Sequence, residues 1–253
     1  MVGIYFSGTG NSKYCLELFL QQYDNEAKAF SIEAENVVGL IKQQEEIIFS
    51  YPVQYSNIPK ILQDFIDKNQ EVWKGKRVFV IATMVLFSGD AAGILARLLH
   101  KYGAQITGGL HLRMPDSIGD VKALKRPLEE NRKLVVSAER KIEQAVVNIK
   151  NGNPPQEGIG IFYHLAGLFG QRLYFRNKTK NYTDKLKIDG NKCSGCGKCV
   201  SLCPMKNITI ESKVAVSSNQ CTMCYRCVNN CPKQAITLLG TRIVEQSLIE
   251  KYL

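Results

Sequence analysis

Two cysteine runs near the C-terminal end restrict this chain more than any other feature. Cys193, Cys196, Cys199 and Cys203 follow the spacing C-x2-C-x2-C-x3-C and are succeeded by Pro204. Cys221, Cys224, Cys227 and Cys231 repeat that spacing ahead of Pro232, at a constant offset of 28 residues (193 to 221, 203 to 231). The repeat outlasts the cysteines, because Ile208-Thr209-Ile210 matches Ile236-Thr237-Leu238 at the same offset. Such a duplication builds a pseudo-symmetric site. A disulfide framework belongs to small secreted chains, and the opening residues show no charged and apolar leader. Zinc sites separate their cysteine pairs by a dozen or more residues. Three thiolates within seven residues instead suit three irons of one [4Fe–4S] cubane.

The segment from about Leu186 to Gly240 resembles a bacterial-type ferredoxin with two [4Fe–4S] clusters. The resemblance implies that the fourth cysteine of each run serves the other cluster. One cluster would take Cys193, Cys196, Cys199 and Cys231, and the other Cys221, Cys224, Cys227 and Cys203. Gly195 and Gly197 let the first loop curl so that backbone N–H groups face sulfur. Asn207 to Ile210 and Lys213 to Ser217 read as a short hairpin. Ile188, Val200, Ile208, Ile210, Val228 and Ile236 are the expected apolar shield. The ninth cysteine, Cys15, stands alone on a predicted helix and reads as packing.

The N-terminal part has a different grammar. Val2 to Phe6 is a short apolar strand, and a helical pattern runs through Leu16, Phe19 and Leu20. Between them lies Ser7-Gly8-Thr9-Gly10-Asn11-Ser12. A hydroxyl- and glycine-rich turn ahead of a helix cradles phosphate with backbone N–H groups and the helix N-terminus. The Walker pattern needs Gly-Lys-Ser/Thr, yet Asn11 follows Gly10. The dinucleotide pattern needs glycine where Lys13 stands. Further strand candidates fall at Ala27–Ile32, Glu46–Ser50, Lys76–Thr83 and Gln105–Leu112. Helical patterns separate them, including Pro59–Lys68 and Asp90–Tyr102. This alternation predicts a parallel sheet covered on both faces, and 45% hydrophobic residues supply its core. Residues 121–150 read as a long charged amphipathic helix ending at the breaker Asn151-Gly152-Asn153-Pro154-Pro155.

The turn at 7–12 resembles the flavodoxin loop Thr/Ser-x-Thr-Gly-x-Thr/Ser, which holds the phosphate of FMN. That resemblance implies a doubly wound five-stranded sheet of order 2-1-3-4-5, with the ligand beyond the strand ends. The loops after strands 3 and 4 would then flank the isoalloxazine ring, through Pro52, Val53, Gln54 and Tyr55 on one side. Met84, Phe87, Ser88 and Gly89 would stand on the other. Tyr51, Tyr55 and Phe87 are the candidate stacking rings. Met84-Val85-Leu86-Phe87 is bulkier than the small loop often found there. Taken whole, the chain resembles the flavodoxin–ferredoxin fusion proteins of anaerobes, often called EFR1-family ferredoxins. The implied architecture is α/β, a flavodoxin-like FMN-binding domain at 1–150, then a connecting segment at 151–184. A small α+β domain with two [4Fe–4S] clusters follows at 185–253.

Residues 158–175 are apolar and aromatic and are expected to pack between the domains rather than on a membrane, with His164 an interface histidine. No apolar run reaches the roughly 18–20 residues of a spanning helix, so a cytoplasmic protein is expected. Charge is uneven. Residues 1–150 hold 19 basic and 17 acidic side chains, whereas 185–253 hold ten basic and four acidic, a net of +6. No nucleic-acid motif accompanies this basic end, which suits an acidic redox partner; a homodimer is also considered. The expected function is electron transfer among FMN, two [4Fe–4S] clusters and an external redox protein, with no catalytic residue named. The alternatives are a flavin-dependent reductase of a quinone or nitro compound, against which the bulky 84–87 loop speaks, and a redox sensor.

Overall fold

The computed structural model describes residues 1–86, 89–160, 162–164 and 185–253. Five parallel strands form the first unit: β1 (Val2–Tyr5), β2 (Ala29–Ser31), β3 (Glu46–Pro52), β4 (Arg77–Met84) and β5 (Gln105–Arg113). Their order is β2-β1-β3-β4-β5, as the resemblance implied. Period-two alternation sorts side chains between the faces. Ile47, Phe49, Val78 and Val80 point to a core closed by Leu62, Ile66, Trp73 and Leu95. These come from α3 (Lys60–Lys68), the turn after it and α4 (Ala91–Lys101); α2 (Val37–Gln43) lies on the same face. Ile48, Phe79, Ile81 and Leu110 point the other way, to α1 (Asn11–Tyr23) and α5 (Leu128–Lys150).

The helix expected at 121–150 starts later, at Leu128. Pro127 fixes its first turn, and the residue before a proline is driven out of helical backbone. At the outer edge, the Gly109 N–H bonds to the Pro155 carbonyl and the Glu157 N–H to the Gly109 carbonyl. The start of the connecting segment thus covers the open edge of β5, which would otherwise present unpaired backbone groups. His164 bonds through Nδ1 to the buried carboxylate of Asp90, 2.9 Å away. The rest of the segment, 165–184, lies outside the described residues. No helix among the described residues is long and apolar enough to cross a membrane.

The second unit contains β6 (Lys187–Ile188), paired antiparallel with β9 (Ile236–Thr237), and the hairpin β7 (Ile208–Glu211) and β8 (Val214–Ser217). Short helices α6 (Lys198–Leu202) and α7 (Arg226–Asn230) carry the third cysteine of each run. The duplication extends to backbone angles. Gly195 and Gly197 have φ of 66° and 73°, and their counterparts Met223 and Tyr225 have 57° and 62°. Lys206 and Gln234, again 28 apart, have 51° and 49°. Ile208, Val228 and Ile236 are buried in this unit's core and Ile188 and Val200 partly so. Ile210, expected in the shield, is 39% exposed. It lies on the hairpin strand β7, where it lines the first cysteine recess while remaining partly open to solvent.

The second unit is clamped to the first over the C-terminal ends of the strands. Asp120 is buried, and its Oδ2 accepts the N–H groups of Leu238, Leu239 and Gly240 at 2.6, 3.0 and 3.1 Å. Its Oδ1 accepts the Tyr225 hydroxyl. Asn229 donates to the Ser117 carbonyl and accepts the Ser247 N–H. The chain then returns to the first unit. Ile249 and Tyr252 are buried beside Leu16 and Phe19 of α1, and the Ile249 N–H bonds to the Thr9 carbonyl.

Candidate cofactor sites

The fold gathers the eight cysteines of the two runs into two recesses. One, of about 350 Å³, is lined by Cys193, Cys196, Cys199 and Cys231. The other, of about 360 Å³, is lined by Cys203, Cys221, Cys224 and Cys227. Backbone N–H groups reach sulfur in both: Ala215 to Cys193 at 3.4 Å and Ala235 to Cys231 at 3.3 Å, Asn207 to Cys203 and Met223 to Cys221 at 3.3 Å. Thiols ringing a small apolar void, with amide donors aimed at sulfur, fit an iron–sulfur cubane. Burial pushes the Cys224 thiol up to about 12 and raises Cys199, Cys221 and Cys227 as well. Metal binding must therefore displace protons that these buried thiols hold tightly. Cys15 is fully buried under the sheet, apart from both recesses.

A third, larger cleft of about 1190 Å³, open to solvent, lies where the two units meet. Pro52, Val53, Gln54, Tyr55 and Met84 line it, as do Gly8 and Asn11 of the Ser/Gly turn. Gln54 to Asn57 make a tight turn closed by reciprocal backbone hydrogen bonds, N–H to carbonyl, at 3.0 and 2.9 Å. Its central residues Tyr55 and Ser56 have φ of 48° and 57°, a left-handed pair that costs roughly 1–2 kcal/mol per residue without glycine. Strain of this sort collects at ligand-binding loops.

Other expected residues stand elsewhere. Tyr51 is fully buried in the core, where its hydroxyl donates to the Ala91 carbonyl, so it is no stacking ring. Gly89 is buried and does not line the cleft. Phe87 and Ser88 lie outside the described residues. Within the turn, the Thr9 and Ser117 hydroxyls are 3.0 Å apart, Ser12 and Thr83 are 2.7 Å apart, and the Asn11 amide donates to the Pro115 carbonyl. Gly10 is covered by Ile249. Ser7 differs: its hydroxyl is buried with no hydrogen-bond partner. A buried orphan of this kind calls for a further group. With α1 opening directly behind it, this turn and the cleft beside it fit a phosphorylated flavin.

Reasoning from the sequence missed the far wall. Met114, Asp116 and Ile118 line the cleft from the loop after β5, and Met223, Cys224 and Tyr225 from the second cysteine run. The rule that ligands sit beyond strand C-termini points to the loop after β5; nothing local points to the cysteine run. Cys224 and Tyr225 line both the cleft and the second recess. A Cβ on Gly8 would collide with the Cys224 carbonyl oxygen, so glycine is required for this approach. Arg226 locks it: Nε and Nη2 donate to the Ser7 carbonyl at 3.1 and 2.9 Å. The same guanidinium pairs with both carboxylate oxygens of Glu33 and lies over the Phe6 ring. Gln54 adds hydrogen bonds from Nε2 to the Thr222 and Met223 carbonyls.

Comparison with known proteins agrees with these two units. Residues 3–112 match the model of a flavodoxin domain, and residues 185–232 that of a 4Fe-4S dicluster domain. No curated protein matches the chain. Among solved structures, a Fusobacterium nucleatum flavodoxin bound to flavin mononucleotide is 21% identical, covering 60% of this chain and 98% of its own with a TM-score of 0.42. The two-electron reduced flavodoxin of Megasphaera elsdenii is 19% identical, covering 58% and 99% with a TM-score of 0.41. Flavodoxin 2 of Bacillus cereus is 17% identical, covering 60% and 97% with a TM-score of 0.44. The chain thus joins a flavodoxin domain to a 4Fe-4S dicluster domain, the composition of an electron-transfer flavin/iron–sulfur protein.

Proposed function

We propose that this chain is a cytoplasmic electron carrier of the EFR1-family fusion kind, relaying electrons between a redox protein partner, two [4Fe–4S] clusters and FMN. When bound, the clusters would exchange single electrons and the flavin one or two, which lets one-electron and two-electron partners be coupled. Cys193, Cys196, Cys199 and Cys231 would hold one cluster; Cys203, Cys221, Cys224 and Cys227 the other. The Ser7–Ser12 turn would face the flavin phosphate, with Pro52–Tyr55 and Met84 beside the ring. One observation carries the proposal: Cys224 and Tyr225 are a shared wall between a cysteine recess and the flavin cleft. Arg226 and Gln54 hold that wall against the flavodoxin-like loops. The test is anoxic purification with iron and flavin analysis, then reduction followed in the visible. About eight irons and one flavin per chain, reduced by a ferredoxin but not by NADH or NADPH, is the expected result. Direct reduction by a nicotinamide would refute the carrier assignment.

One observation favours the alternative, a reductase of a quinone or nitro compound. Asp116 lines the open cleft, and burial raises its carboxyl above the usual range although Oδ1 accepts the Ile118 N–H. A carboxyl lining the cleft is placed to pass a proton to a reduced acceptor. Turnover with a panel of such acceptors, lost in Asp116→Asn, would establish that reading.

A further inference from the structure

The eight cysteines differ in exposure. Among the described residues, Cys196 of the first recess is the exposed one, whereas in the second recess Cys203, Cys221 and Cys224 are half-buried and Cys227 is buried, with Cys224 held against Gly8 of the flavodoxin-like unit. Lys198 and Lys233 are exposed and line the first recess, and Lys192 precedes Cys193. The hairpin turn carrying exposed Lys213 backs onto the first loop, since a Cβ on Gly195 would meet the Lys213 carbonyl oxygen at 2.5 Å. The acidic groups alongside are Asp189, 3.6 Å from Lys192, and Glu211. The exposed apolar part of Ile210 also lines the recess. An apolar centre within a ring of lysines, over the one solvent-facing thiol, has the anatomy of a transient docking surface.

We infer that the face formed by Cys196, Ile210, Lys198, Lys213 and Lys233 is the port at which an acidic one-electron redox protein docks. The inference rests on the carrier proposal and gives it a direction in space: partner at the first recess, flavin cleft behind the second. A partner docked over the second recess would meet only half-buried or buried cysteines, beside the clamped interface. The exchange is a single electron lost by the partner and gained by this chain, with no proton or leaving group. Steering by lysines acts on encounter and fades with salt.

The test uses the full-length holoprotein with two reductants: a reduced acidic [2Fe–2S] ferredoxin and photoreduced neutral deazaflavin. In Lys198→Glu/Lys233→Glu, reduction by the ferredoxin is expected to slow about tenfold at low ionic strength. The difference should vanish near 1 M salt, where screening acts within about 3 Å. Reduction by deazaflavin should be unchanged. Lys68→Glu/Lys74→Glu, at the opposite end of the sheet, should match wild type with both reductants. An unchanged ferredoxin rate in the first variant overturns the port. So does equal slowing in the second, which would show a net-charge effect, or equal slowing with deazaflavin, which would show a damaged site. If wild type takes electrons from deazaflavin but not from the acidic protein, the docking inference falls while the carrier proposal stands. If neither reductant works on iron-loaded protein, the carrier proposal itself falls.

Discussion

The two cysteine loops share a spacing and a backbone, yet they face opposite ways. In the first, left-handed residues are Gly195 and Gly197, and the helix begins with Lys198, which is exposed. In the second, the same angles are held by Met223 and Tyr225, and the helix begins with Arg226, whose side chain is 17% exposed. Left-handed backbone costs a side-chain-bearing residue roughly 1–2 kcal/mol. The second loop accepts that cost where its side chains and carbonyls make the interface. Tyr225 bonds to Asp120, Met223 lines the cleft, and Arg226 spans Ser7 and Glu33. One copy of the duplication carries glycines and open lysines, which suit a meeting with another molecule. The other is an internal joint.

Removing a ligand from each loop breaks this comparison most sharply. Cys196→Ser and Cys224→Ser should each lower iron from about eight to about four per chain. Only Cys224→Ser should also alter the flavin's visible bands, because Cys224 alone of the two lines the cleft. Identical flavin spectra in both variants would deny the shared wall. Next in size is the pair Arg226→Ala and Lys198→Ala, equivalent positions in the duplication. Loss of Arg226 strands Glu33 and the Ser7 carbonyl, costing about 2–3 kcal/mol. Loss of exposed Lys198 should cost under about 0.5 kcal/mol. Global unfolding of a cofactor protein is not two-state, so protection of the amides at 6–10 against hydrogen exchange is the proper measure. Equal protection in the two variants would mean that the arginine clamp is not what closes the joint.

Glycine replacements distinguish close approach from backbone angle within the first loop. Gly197→Ala meets nothing within 4 Å and should cost only its left-handed backbone, about 1 kcal/mol. Gly195→Ala adds the collision with Lys213 and should cost at least about 2 kcal/mol. Exchange protection of the β7–β8 hairpin reports the difference, and equal effects would show that the hairpin yields freely.

Much of this was legible in the residues, and what was not has a common cause. The spacing of the cysteines, the strand alternation and the Ser/Gly turn are local patterns, and each predicted its element. Pro127 was a local signal too, and weighed properly it would have started α5 at Leu128. The joint has no such signature. Asp120 and Leu238, or Ile249 and Thr9, meet over separations of more than a hundred residues, and no periodicity announces such contacts. The cleft's far wall was hidden for the same reason. Tyr51 misled because an aromatic at the end of a strand reads alike whether it turns to a ligand or, as here, reaches back to the Ala91 carbonyl.

The smallest expected effect is at Met223, and it isolates why the second loop departs from the first. Glycine relieves the left-handed strain at φ 57°, a gain of about 1 kcal/mol. It also gives the unfolded chain more freedom, at a cost of about 0.4–1 kcal/mol. The two nearly cancel, so Met223→Gly should leave local stability within about 0.5 kcal/mol of wild type. The Gln54 hydrogen bond to the Met223 carbonyl survives the change, since it involves backbone only. What is lost is the side chain that lines the cleft. Weaker flavin retention at unchanged exchange protection would assign the methionine to the cleft. A large loss of protection would instead assign it to packing, and the strain at this position would then serve the fold rather than the site.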